Sequence, residues 1–295
     1  MSIAKLKNLS RAGLFLAAFL WGVSFVLMKN VLANVPPLYI LALRFCGAAL
    51  ILLPACAGKL KKLDKSYLAG GALMGAALLL SYVFQTYGLQ RTTPGKNAFL
   101  TSAYCVIAPF LYWAYKRKRP DRYNVAAAFM CLFGIGLISL DGDLRMGSGD
   151  ALTLVCGFFF AVHIIVTEKF IDKRDPVALA MLQFAAAGIL ALLAAVFSEP
   201  LPALTTASDI WSIAFLTLVC TALCLLLQVF GQKYTPPSQA AVIMTLESVF
   251  GAISSVLLFR EVLTLRLVAG FALTFAAVII SETKLTFTRR QRSKE

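Results

Sequence analysis

The sequence predicts an all-α, polytopic membrane protein whose ten transmembrane helices form two inverted five-helix repeats. Three observations lead there. The 295 residues are 60% hydrophobic and 14% charged, whereas a soluble domain is about half apolar and about a quarter charged. The apolar residues fall in runs of about twenty, the length that crosses a hydrocarbon layer of about 30 Å as a helix. The third observation is that the two halves of the chain resemble each other.

Pro, Gly and charge breaks divide the hydropathy into spans near 11–29, 37–57, 67–90, 95–115, 123–141, 149–171, 176–197, 210–233, 237–259 and 265–283. The first run follows Lys5 and Lys7 but has no small-residue cleavage site, so it is kept as a helix. Pro37, Pro94, Pro176 and Pro237 stand at or just before helix starts, where a missing N–H costs nothing. Pro109 falls inside the fourth span and predicts a kink there. No loop is long enough for a separate soluble domain, so residues 1–295 form a single transmembrane domain.

The net charge of +14 would suggest nucleic acid in a soluble protein. Here the basic residues sit in loops and report orientation instead. With the N-terminus inside, 21 Lys and Arg fall on the cytoplasmic side, among them Lys59, Lys61, Lys62 and Lys65, and Lys116 to Arg119 with Arg122. Only 6 fall outside: Lys29, Arg91, Lys96, Arg145, Arg260 and Arg266. Both termini are therefore expected to be cytoplasmic, in the cell (inner) membrane, with the basic loops against anionic lipid headgroups. The 7 cysteines all lie in apolar runs without a CxxC, as small packing residues.

Sliding the chain by 143 residues aligns Gln85 with Gln228, Gly88 with Gly231, Thr92 with Thr235, Pro94 with Pro237 and Ala98 with Ala241. A slide of 139 aligns Pro37 with Pro176, Phe45 with Phe184 and Ala48 with Ala187. The repeats are then 1–146 and 147–295. Five helices is an odd number, so halves that fold alike must be inverted. That is the architecture of many secondary transporters, with the substrate site at the repeat interface near the midplane.

Several motifs resemble the EamA-like family of drug/metabolite transporters. They are Trp21-Gly22-Val23-Ser24-Phe25, Leu43-Arg44-Phe45, the stretch from Gly88 to Leu100 (GLQRTTPGKNAFL), Thr245-Leu246-Glu247-Ser248 and Arg260-Glu261-Val262-Leu263-Thr264. The resemblance runs over essentially the whole chain. It implies an exporter of amino acids or other small metabolites, with spans 1, 3, 4, 6, 8 and 9 around a central cavity and 5 and 10 peripheral. One departure is Ser248, where the family often has Pro after the ninth-span Glu.

Polar side chains within spans are few. Glu247 stands ten residues into span nine, roughly 15 Å deep, where a charge costs several kcal/mol unless paired, protonated or wet. Trp21, Ser24 and Met28 share a face of span one, and Phe160, His163 and Thr167 repeat it in span six. Tyr82 and Gln85 in span three match Leu225 and Gln228 in span eight, with Thr221 a turn earlier. Asn97, Thr101 and Tyr104 lie along span four, and the 143 slide puts Glu247 on Tyr104.

Matched polar stripes on six spans suit a shared hydrated cavity. Taken singly, Ser24, Thr101, Thr167 and Thr221 suit helix-to-helix hydrogen bonds better. The Gln85–Gln228 pair fits a midplane gate or packing equally, and Gly71 and Gly75 fit close helix packing. His163 is either a proton carrier or a satisfied interior donor. Arg44, which cannot lose its proton, has Glu247 as its simplest partner, in a structural or gating pair. Its other reading is as a receiver of a substrate carboxylate.

The expected function is a secondary or facilitative exporter working by alternating access. Its partners are an amino acid or similar metabolite, membrane lipid and protons if transport is coupled, with no nucleic acid. No cofactor or metal is expected: there is a single histidine, and no HExxH or carboxylate cluster. The alternatives are an intramembrane enzyme using His163 and Glu247, which lacks a nucleophile dyad, and a lipid scramblase or assembly factor.

Overall fold

The computed structural model describes residues 3–58, 63–117, 119–140, 145–171, 174–202, 206–235 and 237–284. Lys59, Lys61, Lys62, Lys118, Lys173 and the basic tail after Lys284, all used in the charge count, lie outside the described residues. Among the described residues every regular element is a helix. They are α1 (Ile3–Val31), α2 (Pro37–Cys56), α3 (Lys65–Arg91), α4 (Pro94–Thr101), α5 (Tyr104–Lys116) and α6 (Arg122–Ser139). Then come α7 (Ser148–Ile171), α8 (Pro176–Ser198), α9 (Ala207–Phe215), a π-helical segment (Leu216–Leu223), α10 (Cys224–Tyr234), α11 (Pro237–Phe259) and α12 (Leu265–Thr283).

The four prolines open α2, α4, α8 and α11, as their fixed φ and absent N–H dictate. Side chains cap other starts: Asp64 accepts from the N–H of Tyr67, Asp175 from those of Val177 and Ala178, and Thr264 from that of Leu267. Among the described residues, eight helical stretches are long and apolar enough to cross a membrane, counting Pro94–Lys116 and Ala207–Gln228 as one each. Apolar stretches Ile243–Phe259 and Leu265–Ser281 lie within α11 and α12. Length and composition thus establish a polytopic membrane protein, with eight long apolar spans among the described residues.

Two expected single helices are interrupted. The span expected at 95–115 breaks at Ser102–Ala103 rather than bending at Pro109 alone. Ser102 donates to the Phe99 carbonyl at 2.7 Å, and the N–H groups of Ala103, Cys105 and Val106 each bond three residues back, tightening the turn. The eighth span widens instead, into the π segment. By contrast α11 runs unbroken past Glu247, as a sequence with Ser248 in place of Pro allows.

The helices pack across the halves of the chain: α1 on α11, α2 on α8, α3 on α7, α6 on α12 and α4 on α11. Lipid tails are as apolar as leucine, so close packing has to hold these pairs together. Gly71 and Gly75 do this for α3: a Cβ there would lie 2.4 Å from Leu182 Cβ and 2.5 Å from the Gln183 carbonyl on α8. Gly134 admits Thr274 of α12 in the same way, and Phe99 stacks on Phe271 with centroids 4.1 Å apart.

Lys284, just past α12, pairs with Asp121, the cap of α6, at 2.7 Å. Burial works against the Asp121 charge, but the Lys284 ammonium and the N–H groups of Asn124 and Tyr123 outweigh it and hold its pKa below the usual carboxylate value. A depressed carboxylate adds stability above its unfolded value and loses it as pH falls through the folded one, so this tie weakens only in acid.

The packing predicts a sharp contrast between glycines. Gly75→Val should destabilise the detergent-solubilised protein by about 1–3 kcal/mol through overpacking. Gly58→Ala, where nothing lies within 4 Å, should leave the melting temperature unchanged.

Candidate functional site

Glu247 reaches the contact between α11 and α4. It lines a cavity of about 10 Å³ together with Thr101, Ser102, Tyr104 and Met244, which is about the room one water needs. Its carboxylate has no hydrogen-bond or ion-pair partner among the described residues. The α4–α5 break lies directly across this cavity, which Glu247 and Tyr104, aligned by the 143 slide, line together.

Arg44 is only 4% exposed. The expected pair with Glu247 is not formed: among the described residues neither Arg44 nor Glu247 belongs to an ion pair. Arg44 Nε and Nη2 donate to the Thr221 hydroxyl at 3.3 and 3.1 Å, and Nη1 faces Met28 Sδ at 4.0 Å. The guanidinium also lies over the Tyr82 ring, 5.2 Å from its centroid, a favourable cation–π contact once water is excluded. Packing of α2 on the π segment directs the side chain away from α11.

The π segment shapes this corner. Thr221 donates five residues back, to the Leu216 carbonyl at 2.7 Å, so its oxygen faces Arg44 with lone pairs free. The Cys220 carbonyl accepts from Trp21 Nε1 at 2.7 Å. Trp21 therefore pins α1 to the π segment, and Ser24 turns back to the Trp21 carbonyl at 2.7 Å.

A second polar group gathers around α4. Gln85 donates to Thr101 at 3.3 Å, while Asn97 donates to the Gln85 carbonyl at 3.2 Å and to Thr153 at 2.7 Å. Gln228 donates to Met244 Sδ at 3.8 Å. The two glutamines do not meet; each bonds its own following span. The alignment of the halves sets Thr101 on Met244 as well as Gln85 on Gln228, so the same contact is made twice.

His163 bonds Gln183 at 3.0 Å and lies 3.5 Å from Thr167. Aromatic rings connect the groups: Tyr82 meets Phe45 and Phe160 edge to face at 5.2 and 5.4 Å, and Tyr104 lies 6.0 Å from Phe160. Thus Tyr82, Tyr104, Phe160, Gln85, Asn97, Thr101 and Glu247 form one neighbourhood, with Trp21, Ser24 and Arg44 on the π-segment side. His163 and Gln228 stand on separate hydrogen bonds.

Sequence reasoning missed the charged residues at one end of the bundle. Glu199 accepts from the N–H groups of Leu38 and Tyr39 at 2.9 and 3.3 Å and from Tyr87 at 2.7 Å. Glu261 takes the Thr93 hydroxyl, the Gly95 N–H at 3.2 Å and the Ser255 hydroxyl at 2.5 Å. An acidic residue in a loop opposite a proline-initiated helix was the available signal.

A polytopic helical bundle whose charged and polar side chains collect at mid-span, between helices of opposite halves, has the build of a membrane transport protein. The sequence pattern of the EamA-like transporter family matches residues 11–140 and again 147–283, and the chain belongs to that family. It is accordingly a membrane transporter and not an enzyme. An uncharacterized transporter of Archaeoglobus fulgidus is 33% identical over 275 residues, covering 91% of this chain and 84% of that one. The uncharacterized transporter YvbV of Bacillus subtilis is 25% identical over 93% of this chain and 92% of its own length. A crystal structure with 16% identity and a TM-score of 0.65 shares the fold over 92% of this chain and 96% of that one.

The Arg44 contacts give a direct check. Thr221→Val removes the acceptor of a buried cation and should cost about 1–3 kcal/mol in thermal stability. Thr221→Ser, which keeps the hydroxyl, should recover most of it.

Proposed function

We propose that the protein is a secondary or facilitative exporter of small amphipathic metabolites, amino acids foremost, in the cell (inner) membrane. In this reading ten spans form two inverted repeats, 1–146 and 147–295, both termini are cytoplasmic, and alternating access carries the substrate past Glu247. The observation that carries it is a carboxylate without partners among the described residues, in a cavity of about 10 Å³, between a continuous helix of one half and a broken helix of the other. Ligand sites usually measure about 300–1,000 Å³. In this reading the conformation is a closed one, and the site has to open to take cargo.

The repeated match of the family pattern to 11–140 and 147–283 supports the two halves. So do the paired contacts Gln85–Thr101 and Gln228–Met244. The rings of Tyr82, Tyr104 and Phe160 offer an apolar surface, while Glu247, Asn97, Thr101 and Gln85 offer polar contacts. Arg44 holds the gate side of the site through Thr221. Glu247 would meet a substrate ammonium or carry a proton, and His163 is the other proton-bearing group near the midplane.

The test is efflux from proteoliposomes loaded with a mixed amino-acid and metabolite pool. Selective depletion of amino acids above empty vesicles is expected; no depletion would sink the amino-acid reading. Glu247→Gln should slow that efflux at least about tenfold, the worth of one hydrogen bond to a charged group. If protons couple through Glu247, the variant also loses the pH dependence of transport. Unchanged pH dependence would remove Glu247 from coupling.

A further inference from the structure

The corner between α3 and α4, Thr92–Thr93, is held by three charged side chains from three different places in the chain. Lys29 of α1 spends its ammonium on carbonyls there: Leu89 at 2.6 Å, Gln90 at 3.0 Å and Thr92 at 2.8 Å. Asp150 of α7 accepts the Thr92 hydroxyl and pairs with Lys96 at 3.5 Å. Glu261, in the α11–α12 connection, accepts the Thr93 hydroxyl and the Gly95 N–H. The carboxylate lies so close to the backbone that a Cβ on Gly95 would sit 2.5 Å from Glu261 Oε2.

These contacts neutralise backbone groups that helix ends leave open: carbonyls at the C-terminus of α3 and N–H groups at the start of α4. They also fix a rod. α4 is eight residues long, bounded by this corner and by the break at Ser102–Ala103, and it carries Asn97 and Thr101 into the site. A short segment with a hinge at each end pivots as a unit, and the corner sets whether it lies against α11.

The described residues of the matching corner in the second half, between α10 and α11, are bonded differently. The alignment sets Thr235 on Thr92, and the buried Thr235 hydroxyl has no partner among the described residues, whereas Thr92 donates to Asp150. It sets Glu168 on Lys29, and Glu168 instead accepts from Tyr112 at 3.0 Å, on a different helix.

We propose that Glu261, with Lys29 and Asp150, is a gating latch that positions α4 against α11 and must release for the site to open at this end. The proposal rests on the alternating-access reading. Glu261 is a positioning residue: it acts through α4 and touches no cargo.

A thiol reporter at the cavity, Ser102→Cys, tests it in full-length protein in proteoliposomes with a membrane-impermeant maleimide on both faces. The native chain is the blank, since six of its cysteines are buried and Cys46 is half-buried. With the latch intact, labelling should be slow. Glu261→Gln should speed it at least about tenfold, the worth of a charge-assisted hydrogen bond. Thr93→Val, which deletes only the hydroxyl, should act in the same direction, and Thr93→Ser should restore slow labelling. If Glu261→Gln does not fold, the Thr93 pair carries the test. Unchanged labelling in folded Thr93→Val or Glu261→Gln would overturn the latch. Labelling needs no substrate, so a chain that exports nothing but labels as expected would overturn the exporter reading and leave the latch standing.

Discussion

A guanidinium keeps its proton even in hydrocarbon, and much of the interior follows from where Arg44 finds its acceptors. An isolated charge at such depth costs several kcal/mol. Arg44 reduces that cost with two hydrogen bonds to one hydroxyl and the face of the Tyr82 ring. The Thr221 oxygen can accept twice because its own proton is directed to the Leu216 carbonyl, a reach of five residues that the widened π turn provides. That same turn presents the Cys220 carbonyl to the Trp21 indole. One buried cation thus ties α2, α3, the π segment and, through Trp21, α1.

The two halves solve this problem differently at equivalent positions. Where the first half has Arg44, the 139 alignment gives the second half Gln183, and where the first has Ser24 the second has His163. Gln183 is neutral and needs only a neutral partner, which His163 supplies at 3.0 Å. Ser24 is too short to play that part for Arg44 and bonds its own helix instead. The divergence explains why a widened helix occurs on one side only: a neutral amide does not require an acceptor with two free lone pairs. Elsewhere the equivalence persists, as in the Gln85–Thr101 and Gln228–Met244 contacts.

Features set by local chemistry were legible in the sequence. Proline placed the starts of α2, α4, α8 and α11, apolar runs placed the helices, and the Gly71–Gly75 spacing marked a face of α3 for close helix packing without naming α8. Glu247 and Tyr104, aligned by the 143 slide, line one cavity. The π segment and the break at Ser102–Ala103 were not legible. Nothing in Leu216–Leu223 differs from an ordinary apolar helix, and the extra residue per turn is worthwhile only because Arg44 and Trp21 take up the groups it redirects. Sequence distance hid the partner of Arg44 for the same reason: charge complementarity favoured Glu247, but α2 packs on the π segment rather than on α11.

Glu247 stands apart, with no hydrogen-bond or ion-pair partner among the described residues. Arg44 has a hydroxyl and a ring, Lys29 has three carbonyls, and Asp150 and Glu261 have hydroxyls and a backbone N–H or an ammonium. Each of those groups helps hold helices together. Glu247 makes no such tie among the described residues, in a space too small for more than about one water. Left charged there, a carboxylate raises the free energy of the state that holds it; a proton relieves that cost in place, whereas a cation or an influx of water would favour an occupied or open state. Differential stabilisation of this kind is the only way a ligand shifts a conformational equilibrium. In the alternating-access reading proposed above, a fully paired Glu247 would stabilise the closed bundle and give a cargo nothing to improve upon, whereas a Glu247 without a described partner leaves binding able to drive opening.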